Sequence, residues 1–386
     1  MSTRKLSTTR SGESPDLCAR VSERPLLTVA DVIPSDPRLE VIGVLNPTFI
    51  AIEGRRYLIV RIDERPVAVS EQSRNMTRES FKIPIARVDT ACGSRIQVVE
   101  AEVPESYNPE KEPILPKSVR HAVQDKGGPD LLLSYLSSLR CVRLLGTKHA
   151  VDSKPLAFPD NEFSQFGCED PRATLLEGQP VLTYTSVGRF GATAWFARLT
   201  EQCALRGKTM LLGPDHKHCA LFPEKIGQAY CMLSRPLTRL YIQSNGIWVY
   251  KSPDLLHWGE ACPILLPRQA QWDSVRVGPC MSPLETSEGW LLFYFGVDSE
   301  DSYHVGAALL DRNDPSRVIG RAGVPILSPI LDWERVGRRA DTVFPCGAEF
   351  STEKDSVRLY YGAADTCIGA ANLSLSTLWN VLVKDD

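Results

Sequence analysis

One local pattern returns five times along the chain, and few folds other than a propeller can use it. Each return runs from a polar or Pro-containing turn into a short apolar strand, then through a Gly or charged turn into an aromatic-rich strand. The first is Asn46-Pro47-Thr48-Phe49-Ile50, then Glu53-Gly54-Arg55-Arg56 and Tyr57-Leu58-Ile59-Val60-Arg61. The second opens at Glu169-Asp170-Pro171-Arg172 and ends at Leu182-Thr183-Tyr184-Thr185-Ser186. The third starts at Leu221-Phe222-Pro223-Glu224-Lys225, the fourth at Gly278-Pro279-Cys280 and the fifth at Val343-Phe344-Pro345. From the second onward the spacing is about 50 to 65 residues, enough for four short strands and their turns. The gap from first to second is about 120, so it holds an insertion, placed at about 67–130 where the chain is charged, Pro-rich and weakly periodic. The run Leu131 to Leu145 then reads as a strand, with a helix as the alternative. The rival reading of the whole is five unrelated hairpins in a sandwich.

The expectation is therefore an all-β chain: a five-bladed β-propeller over 24–386, with an insertion between the first and second blade motifs. Residues 1–23, polar and rich in Ser and Arg, are expected to be a flexible N-terminal segment. In a propeller the innermost strand of each blade lines the axis, so the turn residues that open those strands converge. Asn46, Asp170, Glu224, Gly278 and Phe344 are expected around one pocket.

Bulk properties narrow the function classes. The 386 residues carry a net charge of -3, so no global field points to nucleic acid or an anionic membrane. No apolar run is long enough to span a bilayer. Met1 to Arg20 contain no apolar stretch of the kind a signal peptide needs, which points to a cytoplasmic protein. The 11 cysteines are scattered without metal-ligand spacing, and read as reduced, mostly buried thiols; no metal and no cofactor are expected. A small carbohydrate is the partner to expect, and a homo-oligomer stays open.

The segments GCEDPRATLLEGQPVLTYTS, HKHCALFPEKIGQAYCMLSRP, IWVYKSPDLLHWG, PLETSEGWLLFYFGV, VGAALLDRNDPSRVIGR and VFPCGAEF…LYYGAADTCIGAA resemble, in order, those of glycoside hydrolase family 130. The resemblance covers roughly Gly43 to Ala371 apart from the insertion. It implies a five-bladed propeller that cleaves β-mannosidic bonds with inversion, using water or inorganic phosphate.

Inverting transfer needs a proton donor at the leaving oxygen and a nucleophile on the opposite sugar face. If the nucleophile is water, a second carboxylate must activate it. If it is phosphate, cationic groups must hold the dianion instead. The resemblance makes Asp170 the general acid, its proton passing directly or through a sugar hydroxyl. Arg172 is expected to orient it or to hold a sugar hydroxyl. Phosphorolytic relatives tend to carry an arginine where this chain has Glu224, and a histidine where it has Phe295. An acidic Glu224 would repel phosphate and suits a base, and Phe295 can neither donate nor carry charge. These two positions tilt the expectation toward hydrolysis, with Glu224 as base and Asp273 as a further candidate; Arg276 still supplies a cation, so phosphorolysis is the alternative. A non-catalytic carbohydrate-binding propeller is a third reading, disfavoured because Asp170 is present. Sugar contacts are expected from Asn46, Arg61, Asp63, Tyr184, His216, Lys217, Arg235, Tyr294 and Asp365. Arg338-Arg339 and Asp341 depart from the family pattern, Asp341 replacing an amide, which bears on the leaving-sugar subsite.

Overall fold

The fold is taken from a computed structural model that describes residues 16–67, 80–89, 94–104, 106, 134–237 and 246–383. It is a five-bladed β-propeller. Blade 1 runs outward through Leu39–Ile52, Arg55–Pro66, Leu136–Leu145 and Lys148–Val151. Blade 2 uses Gly167–Leu176, Gln179–Gly188, Gly191–Leu199 and Leu205–Leu212, and blade 3 uses His216–Leu221, Tyr230–Pro236, Ile247–Ser252 and Gly259–Leu265. The inner strand of blade 4 is split into Arg276–Pro279 and Leu284–Thr286, both paired with Gly289–Val297, followed by Tyr303–Leu310 and Val318–Ala322. Blade 5 is Val343–Phe350, Ser356–Ala363 and Cys367–Ser374.

Both ends of the described chain complete blades. Leu382–Val383 adds an outer strand to blade 4, and Cys18–Arg20 adds one to blade 5. The segment expected to be flexible is thus part of the sheet from Cys18 on, because its backbone finds the open edge of the blade 5 strand Cys367–Ser374; residues 1–15 lie outside the described residues.

Middle strands such as Gly289–Val297 are buried on both faces, as their near-continuous apolar sequence requires. The two-residue alternation of a strand then divides the side chains between neighbours. Leu291, Phe293, Phe295 and Val297 pack toward blade 5, while Trp290, Leu292 and Tyr294 pack toward blade 3. Similar clusters seal blades 1 and 2 around Tyr57, Leu139 and Tyr184, blades 2 and 3 around Leu221 and Met232, and blades 1 and 5 around Leu58, Val60 and Tyr360. Of the expected insertion, the hairpin Ser80–Asp89 with Arg95–Pro104 is described, and its Ala86, Val88 and Ile96 pack on Leu39 and Leu136 of blade 1. Apart from residues 67, 94 and 106, the rest of the insertion lies outside the described residues, as do residues 131–133 of the apolar run, which is a strand from Leu136.

The inner strands are irregular at one depth. Register shifts fall between Leu45 and Thr48, Glu169 and Arg172, Lys217 and Ala220, and Pro345 and Gly347. A bulge bends its strand and re-aims a side chain. Here Asn46, Asp170 and His218 sit at the bulges with φ of 50°, 51° and 60°. In blade 4 the inner strand breaks after Pro279 at the corresponding place.

Candidate active site

Asp170 lies at the centre of the bulged end of the ring. Its Oδ1 accepts from Asn46 Nδ2 at 2.5 Å and from Arg61 at 3.2 Å, and its Oδ2 faces His218 Nε2 at 3.3 Å. Gly167 makes this approach feasible: its φ is +152°, and a Cβ there would stand 2.6 Å from Ser137 Cβ, where blade 1 meets blade 2. Arg172 is buried and reaches back to the Asp170 backbone carbonyl at 2.5 Å, so it fixes the bulge and leaves the carboxylate to other donors.

Burial alone would raise the pKa of Asp170. The His218 hydrogen bond and the charges of Arg61 and Lys217 outweigh it and hold the carboxyl well below its usual range. His218 is buried too, and burial, reinforced by Arg172 and Arg235, keeps its pKa well below that of a free imidazole despite Asp170. Arg235 Nε donates to His218 Nδ1 at 3.4 Å. An imidazole whose Nδ1 accepts carries its proton on Nε2, so a neutral His218 donates to Asp170.

A charged network surrounds this pair. Arg61 also binds Asp63 at 2.7 Å, Glu169 at 3.2 Å and the Tyr135 hydroxyl at 3.0 Å. Arg338 binds the other oxygen of Asp63 at 2.8 Å, and Lys217 binds Glu169 at 2.8 Å. Burial opposes the ionised form of Asp63, but Arg61 and Arg338 hold its pKa below the usual value. Asp365, with φ of 52°, is close enough to feel Arg338, Arg61 and Arg339, yet burial raises its pKa.

On the far side of His218 lies an aromatic and cationic group. The Phe295 ring meets His218 edge-on at 5.2 Å and Phe344 at 4.9 Å, and stacks on Tyr303 at 5.6 Å. Gly278 admits the Phe295 ring, since a Cβ there would stand 2.4 Å from it. Arg235 lies over Phe295, while Arg276 and Arg339 lie over Tyr303. Desolvation lowers the Arg235 pKa to about 10, and among the described residues no carboxylate pairs with it.

The structure thus brings together Asn46, Arg61, Asp63, Asp170, Lys217 and Arg235, with Arg276 at the Tyr303 edge. Several expected residues lie elsewhere. Glu224 is exposed on the turn after Pro223, whose carbonyl accepts from Glu177 at the end of the Asp170 strand. Seven residues of strand and turn separate Glu177 from Asp170, roughly 20 Å. Glu224 is therefore at the opposite mouth of the ring and cannot serve as base beside Asp170. His218, not Glu224, is the blade 3 residue at the bulge. Asp273 is fully buried and spent on Arg268 at 2.9 Å, Arg321 at 2.7 Å and the Tyr294 hydroxyl at 3.0 Å. Tyr294 belongs to that same network on the blade 3 side, and Tyr184 to the core between blades 1 and 2. His216 turns to the Ser234 hydroxyl and Tyr250, and Asp341 pairs with Arg335 at 3.3 Å. His218, Glu169, Tyr135 and Tyr303 were not expected at the site; the His216-Lys217-His218 run was the sequence signal for the first of these.

Comparison with known proteins gives this geometry its relatives. A family model described as beta-1,4-mannooligosaccharide phosphorylase matches residues 142–384. The chain is 33% identical over 368 residues to a beta-1,2-mannobiose phosphorylase of Listeria innocua, covering 94% of this chain and 98% of that one. It is 37% identical over 228 residues to a 1,2-beta-oligomannan phosphorylase of Thermoanaerobacter, covering 58% of this chain and 74% of the relative. The solved structure of the Listeria innocua enzyme with beta-1,2-mannobiose superposes with a TM-score of 0.82 at 30% identity, covering 95% of this chain and 99% of that one. These relatives are phosphorylases, which overturns the expectation of hydrolysis; the displaced Glu224 removes its structural basis as well. With near-complete coverage of such a relative, and a family model spanning more than half its length, the chain belongs to glycoside hydrolase family 130.

Proposed function

We propose that this enzyme cleaves β-mannosides by phosphorolysis, taking β-1,2-linked mannobiose or a short β-1,2-oligomannan as donor. The observation that carries phosphorolysis is Arg235. Its guanidinium is partly buried, lacks a carboxylate partner among the described residues, and is bonded to the histidine that holds Asp170. A partly buried charge without a counter-ion is held at a cost that an anionic substrate would relieve. The β-1,2 linkage is supported by the names of the Listeria innocua and Thermoanaerobacter relatives, and the family model's own description differs in naming a β-1,4 bond.

In this reading a phosphate oxygen attacks the anomeric carbon from the face opposite the leaving oxygen. The site holds Asp170 ionised in the free enzyme, so Asp170 donates only a proton that reaches it in the substrate complex. The glycosidic C–O bond breaks, the leaving oxygen takes that proton through Asp170, and the mannosyl phosphate forms with inverted configuration. The proton that phosphate sheds as the ester forms is the one consumed, so the cycle balances. Asn46, Arg61 and His218 fix the position of the carboxyl during transfer, which lowers the barrier by holding the reacting groups in place.

The test is product analysis with β-1,2-mannobiose, with and without inorganic phosphate. Mannose 1-phosphate formed only when phosphate is present is the expected result. Free mannose produced equally in both conditions would overturn the proposal.

A further inference from the structure

Arg276 and Arg339 share one carboxylate. Asp301 Oδ1 accepts from Arg276 at 2.9 Å, and its Oδ2 from Arg339 at 2.5 Å. Both guanidiniums lie over the Tyr303 ring, at 5.3 and 4.6 Å from its centre. The Asp301 side chain is 63% exposed, unlike the buried carboxylates of the Asp170 network. It sits at φ of 64° in a turn set by its own neighbours: Asp298 Oδ1 accepts the backbone N–H of Glu300 and Ser302, each at 2.9 Å. The turn is thereby built to hold a carboxylate across two arginines.

That arrangement has two further properties. Arg235, Arg276 and Arg339 bring three positive charges, and Asp301 is the carboxylate that pairs with two of them, leaving a local excess of about +2 that matches a phosphate dianion. Arg339 also keeps a buried Nε without a hydrogen-bond partner, a donor that Asp301 does not satisfy. A buried donor left unpaired is costly, and a tetrahedral anion with more acceptor oxygens than a carboxylate could satisfy it.

We infer that Asp301 is a resident counter-anion that sets the enzyme's affinity for phosphate: it holds Arg276 and Arg339 together over Tyr303, and phosphate must compete with it for the pair. This rests on the phosphorolysis reading above. Asp301 trades phosphate affinity for a clamp whose arginines are already aligned. An exposed carboxylate competes weakly, because each of its ion pairs is screened by solvent. The cost to phosphate binding is correspondingly modest.

The test is Asp301→Asn, with Asp301→Ala as a second variant, each checked for an unchanged melting temperature. The expected result is a KM for phosphate lowered about 3- to 10-fold, with the KM for β-1,2-mannobiose unchanged. Unchanged or raised KM for phosphate would overturn the inference, the latter showing that Asp301 serves only to anchor the arginines. Direct calorimetry of inorganic phosphate binding, without sugar, separates this from the reading beneath it. If the wild type binds phosphate but forms no mannose 1-phosphate, phosphorolysis fails. Tighter phosphate binding by the variant would still support the competition, and equal or weaker binding would reject it.

Discussion

The two mouths of the propeller are built from the same five inner strands and differ in nearly everything else. At the bulged mouth, left-handed backbone at Asn46, Asp170 and His218 turns polar side chains onto the axis, and buried charges answer one another. At the opposite mouth, Ile50, Leu175, Pro223, Met281, Leu284 and Ala348 line a mostly apolar cavity of about 260 Å³. The strands reach it in regular register, and the Arg56–Glu349 ion pair at that end is partly exposed. The difference teaches that the strand pattern makes the ring, whereas a bulge in four inner strands and a break in the fifth make the site. Bulges cost ladder hydrogen bonds, and they fall at the end where side chains must converge.

Three substitutions would break or sharpen that contrast. The largest effect belongs to Asp170→Asn, which removes the proton donor while keeping the shape. Turnover should fall about 10²- to 10⁴-fold; loss of the buried partner of Arg61 lowers the melting temperature as well, so rates are compared on protein shown to be folded. Near-normal steady-state rates from a folded variant would remove Asp170 from the chemistry.

Next is Asp63→Asn at the same mouth. It leaves Arg61 and Arg338 short of a buried counter-charge, which should cost about 3 kcal/mol of stability at neutral pH. The pH dependence follows from the sign of the shift. Because the folded pKa of Asp63 lies below its unfolded value, its contribution is present above the ordinary carboxylate range and is lost as pH falls through the folded value. Denaturant titrations of both proteins should therefore converge in acid. A gap that persisted undiminished in acid would mean that packing, not charge, is what Asp63 supplies.

The smallest effect is predicted for Glu224→Gln at the opposite mouth. Both kcat and KM should stay within about twofold, as expected for an exposed position away from the reacting atoms. A large loss of kcat would contradict the separation of the two mouths.

The same contrast explains what the sequence revealed. Four of the five axial positions were legible because proline marks them: Asn46-Pro47, Asp170-Pro171, Gly278-Pro279 and Phe344-Pro345 all fall at the bulges or at the break in blade 4. Blade 3 has His218-Cys219 there, with no proline, while its Phe222-Pro223 pair sits at the other end of the strand. Aligning blades by proline therefore slid blade 3 by several residues and put Glu224 where His218 belongs. Tyr294 and Asp273 failed for a different reason. Adjacent strand residues face opposite sides, and only the position of blades 3 and 5 shows that Phe295 meets His218 and Phe344 while Tyr294 bonds to Asp273. The cationic group around Tyr303 joins residues from blades 3, 4 and 5, and no local pattern announces such a meeting.

The strands that finish blades 4 and 5 come from opposite ends of the chain, and this bears on how the molecule is made. Cys18–Arg20 is synthesised before the blades but has no sheet to join until Cys367–Ser374 has been made. Arg20 must wait as well for Glu334, its fully buried ion-pair partner at 2.9 Å, which lies shortly before the arginines of the site. Blade 4 receives its last strand, Leu382–Val383, later still. Ring closure therefore waits until the chain has been made through residue 383, and the sequence-distant pairings it needs are the slow kind. Until then the blade 4 strand Val318–Ala322 has an open sheet edge, a surface on which a holdase chaperone or another nascent chain could act.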